Sequence, residues 1–196
     1  MLDATSMMQL PGPVLKGERV VLRLPERRDV LAIASYFRDN LEHLSRFSPV
    51  PGPRACEEAY WDQRVAEIQT EFQRSLSTRF FMFEATDDCQ VIGMVSLYPI
   101  VRGSFHACTL GYSLARTHEG HGWMTEALRL VIDFGFRDLR LHRIMANYAP
   151  ENLRSADLLH RLGFQVEGYA RDYLLVNGRW HDHFLSALTN HQWTAA

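Results

Sequence analysis

Cysteine is scarce: the chain has three in 196 residues, Cys56, Cys89 and Cys108. Their odd number, wide spacing and lack of a C-x-x-C pair exclude a disulfide frame and fit reduced thiols in a cytoplasmic protein. A basic excess is also missing. There are 21 Lys and Arg against 23 Asp and Glu, a net charge of −2. That excludes a DNA binder and a general nucleic-acid binder, so any RNA contact must be local. No run approaches the roughly 18 apolar residues of a membrane helix. The opening MLDATSMMQLPGP lacks the basic start and apolar run of a signal peptide. No repeat, low-complexity tract or linker interrupts residues 16–193. One continuous domain is expected there, after a flexible lead-in over 1–15 that ends in Pro11-Gly12-Pro13. What the chain does have is apolar content, 46% hydrophobic and 11% aromatic. A chain of this size buries roughly 70% of its unfolded surface, enough for a real core.

The periodicity predicts the elements in turn. Residues 18–24 read as a strand, and Asp29 is placed to cap a helix with Val30, Ile33, Ala34 and Phe37 on one face. The prolines of residues 49–53 break the chain before a charged helix over about 55–72. Strands over 79–85 and 90–98 are joined at Thr86-Asp87-Asp88 as a hairpin. A strand over 105–114 runs into Glu119-Gly120-His121-Gly122. A helix follows, with Met124, Ala127, Leu128, Val131 and Phe134 on one face. Residues 143–148 read as a buried strand. Asn152 caps a helix over 153–162 that Gly163 stops. Two last strands, 165–176 and 180–188, meet at Asn177-Gly178, the strongest short hairpin signal. The order is β-α-α-β-β-β-α-β-α-β-β. It implies an α/β fold of the mixed α+β kind: a mixed, mostly antiparallel twisted sheet flanked by helices.

The glycine turn that opens the helix at Trp123 suits an anion. A helix start offers N–H groups without intrahelical partners and the positive end of the dipole. Glycines let the backbone approach a phosphate closely. The turn lacks the G-x-x-x-x-G-K-[ST] pattern of a triphosphatase and the full dinucleotide G-x-G-x-x-G. A pyrophosphate-bearing ligand without a transferable γ-phosphate fits better.

From Glu119 to Leu128 the chain resembles the acetyl-CoA-binding turn of the GCN5-related N-acetyltransferases (GNAT), usually Q/R-x-x-G-x-G/A. Glu119 and Met124 depart from that pattern at its first and last positions. Pro150-Glu151-Asn152-Leu153-Arg154-Ser155, followed by Leu162-Gly163-Phe164, is similar to the family's second block, P-x-N-x-x-S…L-G-F. The strings 101–108, 142–148, 167–175 and 180–183 look like the ribosomal-protein-alanine branch, the RimJ family. The resemblance covers 16–193 and implies the GNAT acyl-CoA N-acyltransferase fold. It also implies transfer of acetyl from acetyl-CoA to the N-terminal alanine of the fifth protein of the small ribosomal subunit.

Carried over residue by residue, the resemblance implies that acetyl-CoA is held by Ser113, Leu114, Glu119, Gly120, His121, Gly122, Trp123, Met124, Thr125, Asn152 and Ser155. In the family the splayed central strand donates an N–H to the thioester carbonyl, here near Ser113 or Leu114. One such donor is worth about 2.7–4 kcal/mol elsewhere. Many relatives carry a Tyr four residues after the motif Ser. Leu159 stands there in this chain, so Ser155 is the expected donor to the leaving thiolate. Thr109 occupies the place of the Glu that many relatives carry before Gly-Tyr. The proton acceptor is therefore open among Asp172, Glu119, Tyr169 and Tyr173, with Asp172 preferred. An α-amine has a pKa of about 7.7–8, so a modest acceptor suffices.

His181-x-His183 places two rings on one strand face, and His118 and His121 flank the turn. No third and fourth ligands follow at zinc-like spacing, and no metal is expected. Val101–His106 reads as a substrate-facing loop or as a plain connection. Arg137, Arg140 and Arg143 form a candidate patch for a transient ribosome contact. Two other readings stay open: acetylation of a small-molecule amine, and an acetyl-CoA-binding ribosome-assembly factor with little turnover.

Overall fold

A computed structural model describes residues 12–47, 49 and 52–194. Most of the expected lead-in, residues 1–11, lies outside them. The chain orders as β1 (Val14–Lys16), β2 (Val20–Arg23), α1 (Val30–Ser45), α2 (Glu58–Gln73), β3 (Thr78–Glu84), β4 (Gly93–Leu97) and β5 (Ala107–Leu114). It continues as α3 (Trp123–Arg137), β6 (Arg143–Tyr148), α4 (Leu153–Arg161), β7 (Gln165–Val176) and β8 (Arg179–Thr189). The expected sequence of elements is present, with one addition. Val14–Lys16 pairs with β2, so the sheet begins inside the expected lead-in.

The eight strands form one sheet in the order β1-β2-β3-β4-β5-β6-β8-β7. All neighbours are antiparallel except β5 and β6. The parallel pair needs a crossover, and α3 supplies it. The last hairpin turns at Asn177 (φ 50°) and Gly178 (φ 76°), the two positive angles that a type I′ turn demands.

Each face of the sheet has its own core. On one, Ala127, Leu128 and Val131 of α3 cover Leu22, Phe80, Val95 and Leu110. On the other, α1 and α2 cover Phe81 and Phe83 with Ile33, Phe37, Trp61 and Ile68. Trp61 is stacked on Phe37 at 5.1 Å, and its Nε1 donates to the Ala55 carbonyl at 2.8 Å.

Asp29 departs from expectation. It stands just before α1, but its carboxylate caps nothing there. It is buried against Arg23, with Nη1–Oδ2 at 2.5 Å and Nη2–Oδ1 at 2.8 Å, and accepts from the Glu26 N–H at 2.7 Å. A fully charged bidentate partner outcompetes a helix N–H for a carboxylate out of water. The second helix begins at Glu58 rather than near 55, because a short 3-10 turn, Gly52–Cys56, precedes it.

Candidate active site

β5 and β6 pair only over Ala107–Thr109 and Arg143–Met145. Beyond that they part, although β5 runs on to Leu114 and β6 to Tyr148. The far edge of β5 stays paired with β4 through Leu114, so the edge towards β6 is the open one. The chain leaves β5 into the glycine turn and α3, and leaves β6 into α4. Two helix N-termini therefore flank the opening.

The turn is held from several directions. Gly120 (φ 82°) and Gly122 (φ 81°) adopt the left-handed region that side chains avoid. A Cβ at Gly120 would meet nothing within 4 Å, leaving the loop surface clear for a ligand. The first hydrogen bond of α3 runs from Glu126 N to Gly122 O, at 3.2 Å. The N–H groups of Trp123, Met124 and Thr125 stand ahead of it, the donor set a pyrophosphate needs. Arg19 of the β1–β2 turn donates from Nη1 to the His121 carbonyl at 3.0 Å. It also pairs with Glu126 at 3.1 Å and lies 4.9 Å over the Trp123 ring. Burial raises the Glu126 pKa, but hydrogen bonds from the Arg19 backbone and guanidinium and from the Val20 N–H outweigh it. The net shift is downward. His118 Nε2 lies 3.1 Å from Glu84 and ties the turn to β3.

Side chains alternate along β5. Cys108, Leu110 and Tyr112 face the α3 side, and Ser113 faces α1. Tyr112 OH lies 2.5 Å from Ser155 Oγ, which bridges the parted strand to α4. On the other face Tyr36 OH donates to Ser113 Oγ at 2.9 Å. Burial pushes the Tyr112 hydroxyl up to about 12, against a lowering hydrogen bond to Ser155, and raises Tyr36 further. Both phenols are neutral donors throughout the physiological range.

The expected site residues divide by role. Ser113, Leu114, Gly120, His121, Gly122, Trp123, Thr125, Asn152 and Ser155 all border the opening or its two helix starts. The Asn152 side chain caps α4 by accepting from Ser155 N at 3.2 Å. Met124 borders the turn through its backbone, and its side chain is buried in the core under α3. Glu119 does not confront the helix start alone: its carboxylate pairs with Arg154 of α4 and lies 3.3 Å from His43 Nε2 of α1. Asp172 sits in a bulge of β7, where Arg171, Asp172 and Tyr173 oppose the single Asp182. It has φ 47°, and its backbone N–H donates to Asp182 Oδ1 at 2.9 Å. Among the described residues its exposed carboxylate has no hydrogen bond or ion pair.

Val101–His106 lies at the start of β5, the opposite end from the glycine turn, where Val101 and Ala107 form an isolated bridge. Arg102 donates to the Leu139 carbonyl there at 2.5 Å. Within the arginine patch, Arg137 pairs with Asp133 at 2.8 Å and Arg143 with Glu167, which neutralises most of it. The roles of Arg19, Tyr36 and Tyr112 are not foreshadowed in the sequence. Their partners are 107, 77 and 43 residues distant, and no local pattern marks such pairings.

On the α1 side a pocket of about 220 Å³ opens beside the end of β6. Arg46 and Phe47 at the end of α1, Ala149 and Glu151 of the β6–α4 turn, and Val176, His181 and His183 of the last hairpin line it. Asn177 Nδ2 donates to the Ser45 carbonyl at 2.7 Å and ties the hairpin tip to α1. A larger hollow, about 280 Å³, lies between the middle of α3 and the end of α4, lined by Arg129, Phe136 and Arg161.

Comparison with known proteins gives a consistent set. Residues 19–165 match the acetyltransferase (GNAT) domain family. The chain is 44% identical over 185 residues to the [ribosomal protein uS5]-alanine N-acetyltransferase of Escherichia coli (strain K12), covering 94% of this chain and 95% of that one. The crystal structure of ribosomal-protein-S5-alanine acetyltransferase from Vibrio fischeri superposes with a TM-score of 0.88 at 36% identity, covering 93% of this chain and all of that one. Mycobacterium smegmatis RimJ in complex with CoA-disulfide gives 0.84 at 26% identity, covering 96% and 91%.

Proposed function

The chain is an N-acetyltransferase of the GNAT family, and from that premise we propose that it moves acetyl from acetyl-CoA to the N-terminal alanine of the fifth protein of the small ribosomal subunit. The observation that carries the reading is a parted pair of strands flanked by a glycine turn and two helix starts that offer N–H groups, with a pocket holding an acidic residue, Glu151, beside the end of β6. The substrate identity is supported by the 44% identity over nearly the whole length.

In this reading the N–H groups of Trp123, Met124 and Thr125 take the pyrophosphate, with Gly120, His121 and Gly122 giving close backbone approach. Glu119 stays with Arg154 and His43, away from the phosphates. The α4 start, with Asn152 and Ser155, borders the pantetheine arm. The Leu114 N–H, on the open edge of β5, polarises the thioester carbonyl, while Ser113, in ladder phase with Thr109 and Ala115, turns its N–H to β4. Tyr112 OH and Ser155 Oγ share a hydrogen bond in which either oxygen can donate, and when the phenol donates, the Ser155 proton turns towards the departing sulfur. The acceptor enters from the α1 side through the 220 Å³ pocket, where Ala149 leaves room for a small first side chain. The proposed substrate places the enzyme in the cytoplasm, in transient contact with ribosomal protein.

Incubating the protein with acetyl-CoA and peptides beginning with Ala, Ser, Met or Glu, read by mass spectrometry, tests the reading. Acetylation of the Ala peptide first is the expected outcome. Turnover of small amines with no peptide product would replace this substrate with the small-amine one. Ser155→Ala should lower kcat about 100-fold at saturating acetyl-CoA, the scale of one lost donor. An unchanged kcat would remove Ser155 from the chemistry.

A further inference from the structure

We propose that His183 is the catalytic proton acceptor for the incoming amine, acting through Nε2; the inference deepens the acetyl-transfer reading above and rests on it. His183 Nδ1 lies 3.1 Å from the carbonyl oxygen of His181 in its own strand. A carbonyl only accepts, so Nδ1 carries the hydrogen. A neutral imidazole has one N–H, and the lone pair is therefore on Nε2. Among the described residues Nε2 has no hydrogen-bond partner.

Position supports the role. His183 is 3% exposed yet lines the pocket. In the β6–β8 register Phe184 opposes Tyr148, so His183 comes opposite Ala149, where β6 gives way to the turn before α4. The side-chain alternation puts it on the α1 face, the face of Ser113. The groups around it are Glu151 of the β6–α4 turn, Arg46 at the end of α1, and His181 on its own strand. The Tyr173 ring of β7 lies 5.4 Å away, and Asp182 is adjacent on the opposite face.

The other candidates are engaged elsewhere. Glu119 is paired twice, Tyr169 donates to Asp182 at 2.6 Å, and the Tyr173 oxygen accepts from Asn147 Nδ2 at 2.9 Å. Asp172 points its amide, not its carboxylate, at a neighbour. Imidazole, with an ordinary pKa of about 6.5, is a stronger acceptor than water for the acidic N–H that develops as the amine is acylated.

The step balances without an oxidant or metal. The amine nitrogen bonds the acetyl carbon and the carbon–sulfur bond breaks. The nitrogen's surplus proton passes to His183 Nε2 and then to solvent. The sulfur leaves with its electron pair and takes the Ser155 hydroxyl proton, and solvent returns a proton to Ser155, so one proton is released and one consumed.

The test is His183→Asn, assayed on whichever amine the wild type acetylates in the panel above. The panel therefore judges the substrate reading, and the ratio of variant to wild type judges His183. Expected are a kcat lower by about 100-fold and unchanged CoA affinity by calorimetry. The acid limb of the kcat/KM profile should disappear, and added imidazole should restore part of the rate. A folded variant that keeps kcat within threefold, or keeps the limb, overturns the proposal. ¹⁵N-histidine NMR of the wild type is a second test that needs no variant. The Nδ1–H tautomer at His183 is expected, and an Nε2–H tautomer overturns the proposal.

Discussion

Strands β1 to β5 and strands β6 to β8 share one sheet but bury themselves differently. In β3, Phe80, Phe81, Met82 and Phe83 are all fully buried, because α3 covers one face and α1 with α2 the other. In β7, the edge strand, Val166 is 57%, Tyr169 49% and Leu175 48% exposed. The doubly covered half reads in the sequence as near-continuous apolar runs, and the half-covered one as interrupted, polar strands. The first half holds the fold. The second brings Ser155, His183 and the pocket to the end of β6, where side chains can meet a ligand without dismantling a core.

Three substitutions probe that division. The largest effect should come from Trp61→Ala in the covered half. It empties a site between Phe37 and Phe81 and should cost about 3–5 kcal/mol, lowering Tm by roughly 10 °C or more. A loss under 1 kcal/mol by denaturant unfolding would mean that α2 is not integral to that half. Next is Glu126→Gln, at the joint between the covered half and the glycine turn. It should cost about 1–3 kcal/mol at neutral pH, the scale of a broken charge-assisted bond, and weaken CoA binding. The Glu126 pKa is depressed in the folded state, so its contribution is complete above the ordinary value of 4.5. It disappears as the pH falls through the lower folded value. The Tm gap between wild type and Glu126→Gln should therefore close below pH 4.5, and a gap that persists in acid would show that packing, not charge, was lost. The smallest effect belongs to the open edge: Val166→Lys should change stability by about 0.5 kcal/mol or less. A larger loss by thermal melting would show that β7 is covered in solution and narrow the contrast.

How much of this is legible in the sequence depends on how local its cause is. β6 can be placed residue for residue, since Arg143–Tyr148 is a compact run between a turn and a proline. The five apolar positions of α3 are all buried, and the Asn152 cap and the Asn177-Gly178 turn carry their own chemistry. β1 escapes a sequence reading because three residues between Pro13 and Gly17 are too short to show a period. Asp29 looks like a cap because nothing in the sequence says that its charged partner, Arg23, comes near. The β7 bulge is invisible for another reason: nothing in Arg171-Asp172-Tyr173 says that one residue of the partner strand will face all three. At the site, the glycine turn and the Asn152–Ser155 block can be read directly. The tyrosine–serine bridges and the place of His183 beside the β6–α4 turn cannot, because each depends on which strands and helices become neighbours.

The short parallel pairing of β5 with β6 bears on how quickly the enzyme can load. Only three register pairs join the two strands, and α3, packed against β2, β4 and β6, holds them together. A ligand sliding between the strand ends breaks no ladder bond, because none is there. Entry is thus governed by encounter and by the reordering of a few side chains, such as Arg154 leaving or keeping Glu119. It does not wait on breaking the β5–β6 ladder, which ends at Thr109 and Met145.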